Sequence, residues 1–147
     1  MADRVIAGSD HAGRTLRAEA VKVAKAEGFE VEDLGPFSAD SVDYPDYARA
    51  VAEAVAQGRA RLGVLVCGTG IGMSIAANKV KGVRAAHCGT EFEARMARAH
   101  NDANVLCMGE RVLGLGVAAA IVKAFLETPF EGGRHERRVQ KMKDLEG

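Results

Sequence analysis

The sequence lacks an excess of charge of either sign. Lys and Arg number 20, Asp and Glu number 20, and the formal net charge is zero. A dedicated nucleic-acid binder usually carries a basic surplus, so this balance argues against that class. Cysteine is scarce: Cys67, Cys88 and Cys107 form an odd set without metal-ligand spacing. That excludes a disulfide scaffold and a zinc knuckle, and reduced thiols in the cytoplasm are the expectation. Long apolar runs are missing too. Val117 to Val122 is far too short to cross a bilayer. Met1-Ala2-Asp3-Arg4 enters an apolar stretch at once, without the plan of a signal peptide. What remains is ordinary globular composition, 48% hydrophobic and 27% charged over 147 residues. One domain, residues 1–147, is expected, with a core large enough to need no staples.

Apolar runs and helical periodicities alternate along the chain. Val5-Ile6-Ala7, ending in Gly8, reads as a buried strand. Leu16, Ala20, Val23 and Ala24 mark a helix face stopped by Gly28. Phe29 to Val31 reads as a second strand, followed by a long loop containing Pro36 and Pro45. Such a loop in a compact domain is more often functional than not. Tyr47, Val51, Ala54 and Val55 give a second helix, and Leu62 to Val66 the clearest buried strand. A helix through Ala76-Ala77-Asn78 follows, then a strand over Val83 to Cys88. Thr90-x-x-Glu93 is a capping box opening a helix on Phe92 and Met96. Val105 to Met108 is the fifth strand, and Val117, Ile121, Ala124 and Phe125 mark the next helix. The tail from Gly133 is helical, with Val139 and Met142 on one side. Five strands apolar on both faces, alternating with helices, imply a parallel sheet covered on both sides. Ligands in such folds bind at the carboxyl ends of the strands. The candidate site is therefore the loops Gly8–Gly13, Cys67–Gly72 and Gly109–Arg111.

Cys67-Gly68-Thr69-Gly70-Ile71-Gly72 carries most of the chemistry. Alternating glycines between a strand and a helix bring backbone amides close to a ligand, and those amides with the helix N-terminus favour an anion. A thiol placed there is pushed toward the thiolate and becomes a usable base or nucleophile. A lone Cys in a tight turn would more often be inert and buried; the glycines reverse that preference. The spacing fails the dinucleotide fingerprint G-x-G-x-x-G. It also fails a thiol phosphatase loop, because Met73 stands where the Arg should be. Gly8 to Thr15 nearly matches a nucleotide P-loop, but Arg14 replaces the Lys and Asp10 puts a negative charge in the cradle. Asp10 and His11 suit proton transfer or anion binding, although alone they also fit a turn with an exposed imidazole. His100-Asn101-Asp102 fits a polar turn closing a helix. Arg134 and Arg138, four apart, share a helix face that can grip a phosphate; the spacing alone equally fits a solvated basic tail. Cys88 and Cys107 read as core. No metal cluster or cofactor box accompanies these residues, and cofactor-free proton transfer on a phosphorylated metabolite fits them.

Five segments in order resemble the type B ribose-5-phosphate isomerase family, which includes galactose-6-phosphate isomerase subunits. They are Gly8 to Gly13, Asp43-Tyr44-Pro45, Cys67 to Lys79, His100 to Val105 and Gly132 to His135. The resemblance spans essentially the whole chain. It implies a Rossmann-like α/β/α sandwich with a five-stranded parallel sheet and a C-terminal helix. It also implies aldose–ketose interconversion through a cis-enediolate, without a cofactor or metal. Cys67 resembles the base moving the proton between C1 and C2. The amides of Gly68, Gly70, Ile71 and Gly72, with Thr69, would hold the enediolate oxygen. Asp10 and His100 resemble the ring-opening pair, and Thr69 is sometimes implicated there. His11, Arg134 and Arg138 resemble phosphate ligands, with Arg111 as a further one, and Tyr44 and Asn101 would line the sugar. One branch of the family uses a Glu where this chain has Met73, so the Cys branch is the better match. Ribose 5-phosphate is the default substrate; allose 6-phosphate and a tetrose phosphate are relatives, and a non-catalytic sugar-phosphate sensor is the alternative from another class. The split enzymes of the family divide the site between two different chains. Here all motifs occur in one chain, which implies a homodimer or tetramer. His100 precedes strand five whereas Cys67 follows strand three, roughly a strand length of ~17–20 Å apart. A two-fold dimer in which His100 enters the neighbour's pocket would bring them together.

Overall fold

The computed structural model describes residues 3–147. Five strands, β1 (Arg4–Ser9), β2 (Glu30–Asp33), β3 (Leu62–Cys67), β4 (Ala85–His87) and β5 (Val105–Gly109), form one sheet in the order β2-β1-β3-β5-β4. Every pairing is parallel. The helices are α1 (Arg14–Ala26), α2 (Tyr44–Ala56), α3 (Ile71–Ala77), α4 (Glu91–Asn101), α5 (Leu115–Glu127) and α6 (Arg134–Asp144). A single 3-10 turn, His11–Gly13, precedes α1. No helix of the described residues is long and apolar enough to cross a membrane.

Strand alternation divides the core in two. On one face Val5, Val64 and Leu106 meet Leu16 and Ala20 of α1, Ala94 of α4, and Ile121 and Phe125 of α5. On the other, Ile6, Leu65 and Val105 meet Val51 of α2 and Met73 of α3. Full burial of each large apolar side chain contributes ~1.5–3 kcal/mol, so both helical layers are held firmly to the sheet.

The expectation of strands apolar on both faces holds for β1, β3 and β5 but not at the edges. β2 reads Glu-Val-Glu-Asp and starts one residue later than its apolar signal; β4 is only Ala85–His87, and both are partly exposed. An edge strand is covered on fewer sides and tolerates charge. Pro45 is not in the preceding loop but in the first turn of α2, where its missing N–H costs nothing. Phe92 and Val117, expected on inward helix faces, are 68% and 50% exposed. The buried face of α4 is Ala94, Ala97 and Arg98 instead.

Helix starts fix the loops around the sheet's carboxyl end. Gly13 offers α1 no side-chain cap, and Glu110 supplies one from beyond β5, accepting the Leu16 N–H at 2.8 Å. Thr90 Oγ1 caps α4 through the Glu93 N–H at 3.1 Å, as the capping-box signature implies. Glu93 reaches back to the Gly89 N–H at 2.8 Å. Buried Arg17 donates to Ser9 Oγ at 2.7 Å, lies 3.0 Å from Asp33 and sits over the Phe37 ring. It thereby ties the segment after β2 to the end of β1.

Candidate active site

Chain direction across the sheet reverses between β1 and β3: β2 lies outside β1 on one side, and β5 and β4 lie beyond β3 on the other. Loops leaving β1 and β3 therefore diverge and open a crevice at their carboxyl ends. Asp10 follows β1 and Cys67 ends β3, so both stand at that crevice.

Cys67 is 5% exposed, and its Sγ accepts the Gly70 N–H at 3.1 Å. That bond fixes where the sulfur sits against the glycine loop. Gly70 makes the geometry possible. Its φ of +85° is left-handed, and a Cβ there would meet the Met108 carbonyl carbon at 2.8 Å. A Cβ on Gly72 would meet the Tyr44 ring at 2.6 Å, so the ring lies directly over the first turn of α3. Thr69 Oγ1 accepts the Ile71 N–H at 3.2 Å. Arg111 donates its backbone N–H to the Gly68 carbonyl at 3.0 Å and lays its side chain beside Gly68. Asp10 is nearly buried, and its carboxylate accepts the Ala12 N–H at 3.0 Å. His11 Nδ1 accepts the Val42 N–H at 3.1 Å, which leaves the ring proton on Nε2, free to donate outward.

The structure thus brings Asp10, His11, Tyr44, Cys67, Gly68, Thr69, Gly70, Ile71, Gly72 and Arg111 to one end of the sheet. It does not bring His100, Asn101, Arg134 or Arg138 there. His100 and Asn101 form the last turn of α4, whose chain leads into the start of β5, at the opposite end. Arg134 and Arg138 lie on the exposed side of α6, which turns His135 and Val139 inward toward α4. The His100 and His135 rings stack at 4.1 Å between centroids, 9° from parallel. Glu131 lies 3.8 Å from His100 Nε2 and 3.7 Å from His135 Nε2. Burial, and then the neighbouring His100, hold His135 below the usual histidine range. These three residues could together approach a cation, their ligand atoms lying within 4.8 Å of one another. Their ring lone pairs, however, run in separate near-parallel planes rather than meeting at one point.

Three contributors escaped the sequence reading. His87, at the end of β4, sets its Nε2 2.9 Å from the Thr69 carbonyl. Glu110 and the Val42 N–H act across long sequence separations. His87 alone carries a signal, a polar residue near the end of the apolar run Val83 to Cys88, whose strand ends at His87 itself. Cys88 and Cys107 are buried as expected. Burial pushes the Cys88 thiol up to about 12, with Glu93 adding to it, and burial pushes Cys107 up as well.

A parallel sheet with an anion-ready thiol loop at its switch point defines an enzyme-like α/β class, and the comparisons give the family. The Ribose/Galactose Isomerase family model matches residues 5–142, and the chain belongs to that family. It is 47% identical over 143 residues to the ribose-5-phosphate isomerase B of Escherichia coli strain K12, covering 97% of this chain and 96% of that protein. The type B ribose 5-phosphate isomerase of Trypanosoma brucei has a similar structure, with a TM-score of 0.96, 50% identity and 99% of each chain covered. The Mycoplasma genitalium ribose-5-phosphate isomerase B, solved with bound ribulose-5-phosphate, gives a TM-score of 0.95 and 44% identity. There the match covers 99% of this chain and 97% of that one.

Proposed function

We propose that the protein interconverts ribose 5-phosphate and ribulose 5-phosphate, as an aldose–ketose isomerase that needs no cofactor. The observation that carries this reading is the Cys67 thiol, held by the Gly70 N–H at 3.1 Å in a glycine loop at the carboxyl end of β3. The family's named relatives supply the substrate class.

In the proposed reaction Asp10 and His100 open the sugar ring by moving a proton from the O1 hydroxyl to the ring oxygen. Cys67 as thiolate then takes the C2 proton of the open aldose. The electron pair moves into a C1–C2 double bond, and the C1 carbonyl oxygen becomes the enediolate oxygen. Amides of Gly68 and Gly72, with Thr69, hold that charge, while the Gly70 N–H stays on the Cys67 sulfur. The O2 proton passes to O1, and Cys67 returns its proton to C1 to give the ketose. A positioned base contributes a factor of about 10²–10⁴, and one oxyanion donor about 10²–10³ more. His11 Nε2–H, Arg111, Arg134 and Arg138 take the phosphate, and Tyr44 and Asn101 line the sugar.

This assignment needs two chains. The topology puts His100 at the amino end of β5, about five strand residues, or roughly 17 Å, from the Cys67 end of β3. The reading is therefore a homo-oligomer with each pocket shared between subunits. Ile71 and Ile75, 52% and 58% exposed on α3 beside the loop, support a partner surface there. Turnover over four-, five- and six-carbon aldose phosphates tests the function. Isomerisation of ribose 5-phosphate, abolished in Cys67→Ala, is expected. Preferred turnover of another member would change the substrate, and binding of every member without turnover would make the protein a sensor.

A further inference from the structure

Nothing in the reaction above uses His87, yet it touches the thiol loop at two points. Its Nε2 is 2.9 Å from the Thr69 carbonyl oxygen. A carbonyl oxygen only accepts, so Nε2 carries the proton and donates. The same ring packs on Gly70, where a Cβ would come within 2.9 Å of the His87 Cδ2. The Thr69 carbonyl and the Gly70 N–H are the two ends of one peptide plane, and that N–H is the donor to Cys67 Sγ. A donor on the carbonyl end polarises the peptide and strengthens the donor at its other end. It also fixes the plane's rotation, which the left-handed Gly70 would otherwise leave soft.

We propose that His87 is a positioning residue for Cys67, acting through the Thr69–Gly70 peptide to hold the Gly70 N–H on the sulfur. The inference rests on the reading of Cys67 as the base. The other groups around the sulfur are Arg111 beside Gly68, Asp10 at the neighbouring strand end, and the Cys107 thiol in the same apolar cluster. His87 is exposed, so its replacement leaves the core intact.

The test is the ionisation of Cys67 without substrate, followed by thiolate absorbance and by the iodoacetamide alkylation rate against pH. Cys67→Ala serves as the blank. Cys88 and Cys107, both pushed upward, stay silent in the neutral range. In His87→Leu the thiolate fraction at neutral pH is expected to fall about threefold, a midpoint ~0.5 pH unit higher. kcat on ribose 5-phosphate should fall by a similar factor, with KM unchanged. His87→Gln, whose amide can still donate, should restore most of both. An unmoved midpoint in His87→Leu would overturn the proposal. So would an equal shift in His87→Gln, which would leave only ring packing on Gly70. A Cys67→Ala protein with normal kcat would instead remove the base reading and leave the titration result standing.

Discussion

The two ends of the sheet are built differently. At the carboxyl end, the Cys67 loop is a backbone device. Its thiol is nearly buried, its donor is the Gly70 amide three residues on, and glycines at 70 and 109 let two strand ends close on each other. A Cβ at Gly109 would meet the Thr69 carbonyl carbon at 2.5 Å. At the amino end, His100 of α4, Glu131 of the α5–α6 loop and His135 of α6 form a side-chain cluster, with Arg134 and Arg138 exposed beside it. The first end is pre-organised within one chain. The second offers His100 and the two arginines to solvent and keeps His135 buried. One end would hold charge that develops in the reaction; the other would hold charge the substrate already carries.

The largest expected effect strips the first end of its reactive atom. Cys67→Ala should lower kcat by at least about 10²–10⁴ while ligand affinity stays near normal, because the amides and arginines hold the ground state. Kinetics and calorimetry on the same preparation check it, and near-normal kcat would take Cys67 out of the mechanism. The next experiment couples the two ends. Co-expressed Cys67→Ala and His100→Ala chains should form mixed dimers with one intact pocket in two, restoring roughly half of the wild-type activity per dimer. Purified mixed dimers no more active than either parent would mean that the two residues do not meet across subunits.

Weakening the second end alone should act on binding. Arg134→Ala and Arg138→Ala are each expected to raise KM about 10- to 100-fold, the worth of a charge-assisted hydrogen bond. Unchanged KM in both would return α6 to a solvated basic helix. Gly70→Ala probes the backbone device. A left-handed φ and a contact at 2.8 Å with the Met108 carbonyl carbon should cost ~2–3 kcal/mol in urea unfolding. The smallest effect is the pH dependence of the His135 side. Its folded-state value lies below the ordinary 6.5, so the unfolded chain binds the proton more readily. The stability this contributes is present above about pH 6.5 and is lost as pH falls through the folded-state value. Urea midpoints at neutral and mildly acid pH should therefore differ less in His135→Gln than in the wild type.

Much of the first end was legible in the chain. Cys67-Gly68-Thr69-Gly70-Ile71-Gly72 is contiguous, and its glycines announce both the turn and the close approach. Buried strands declared themselves as apolar runs at β1, β3 and β5. The edges did not: Glu30, Glu32 and Asp33 carry charge in β2, and β4 shrank to three residues, because pairing to a covered neighbour decides those elements. Phe92, on the helical period yet 68% exposed, differs for a related reason. Periodicity says which residues share a face, not which face meets the sheet.

The sequence by itself determined the alternation of strand and helix, the thiol loop and the family. Each is written in residues adjacent along the chain, where sterics and local hydrogen bonds act without help. Only the tertiary structure decided the strand order that puts Asp10 and Cys67 at one crevice, and the cap that Glu110 lends to a helix 94 residues away. It alone set His87 against Thr69 and stacked His100 on His135 at the end of the sheet opposite the sulfur. Those contacts join residues far apart in the chain. They form because packing on both faces of the sheet fixes where each loop must end.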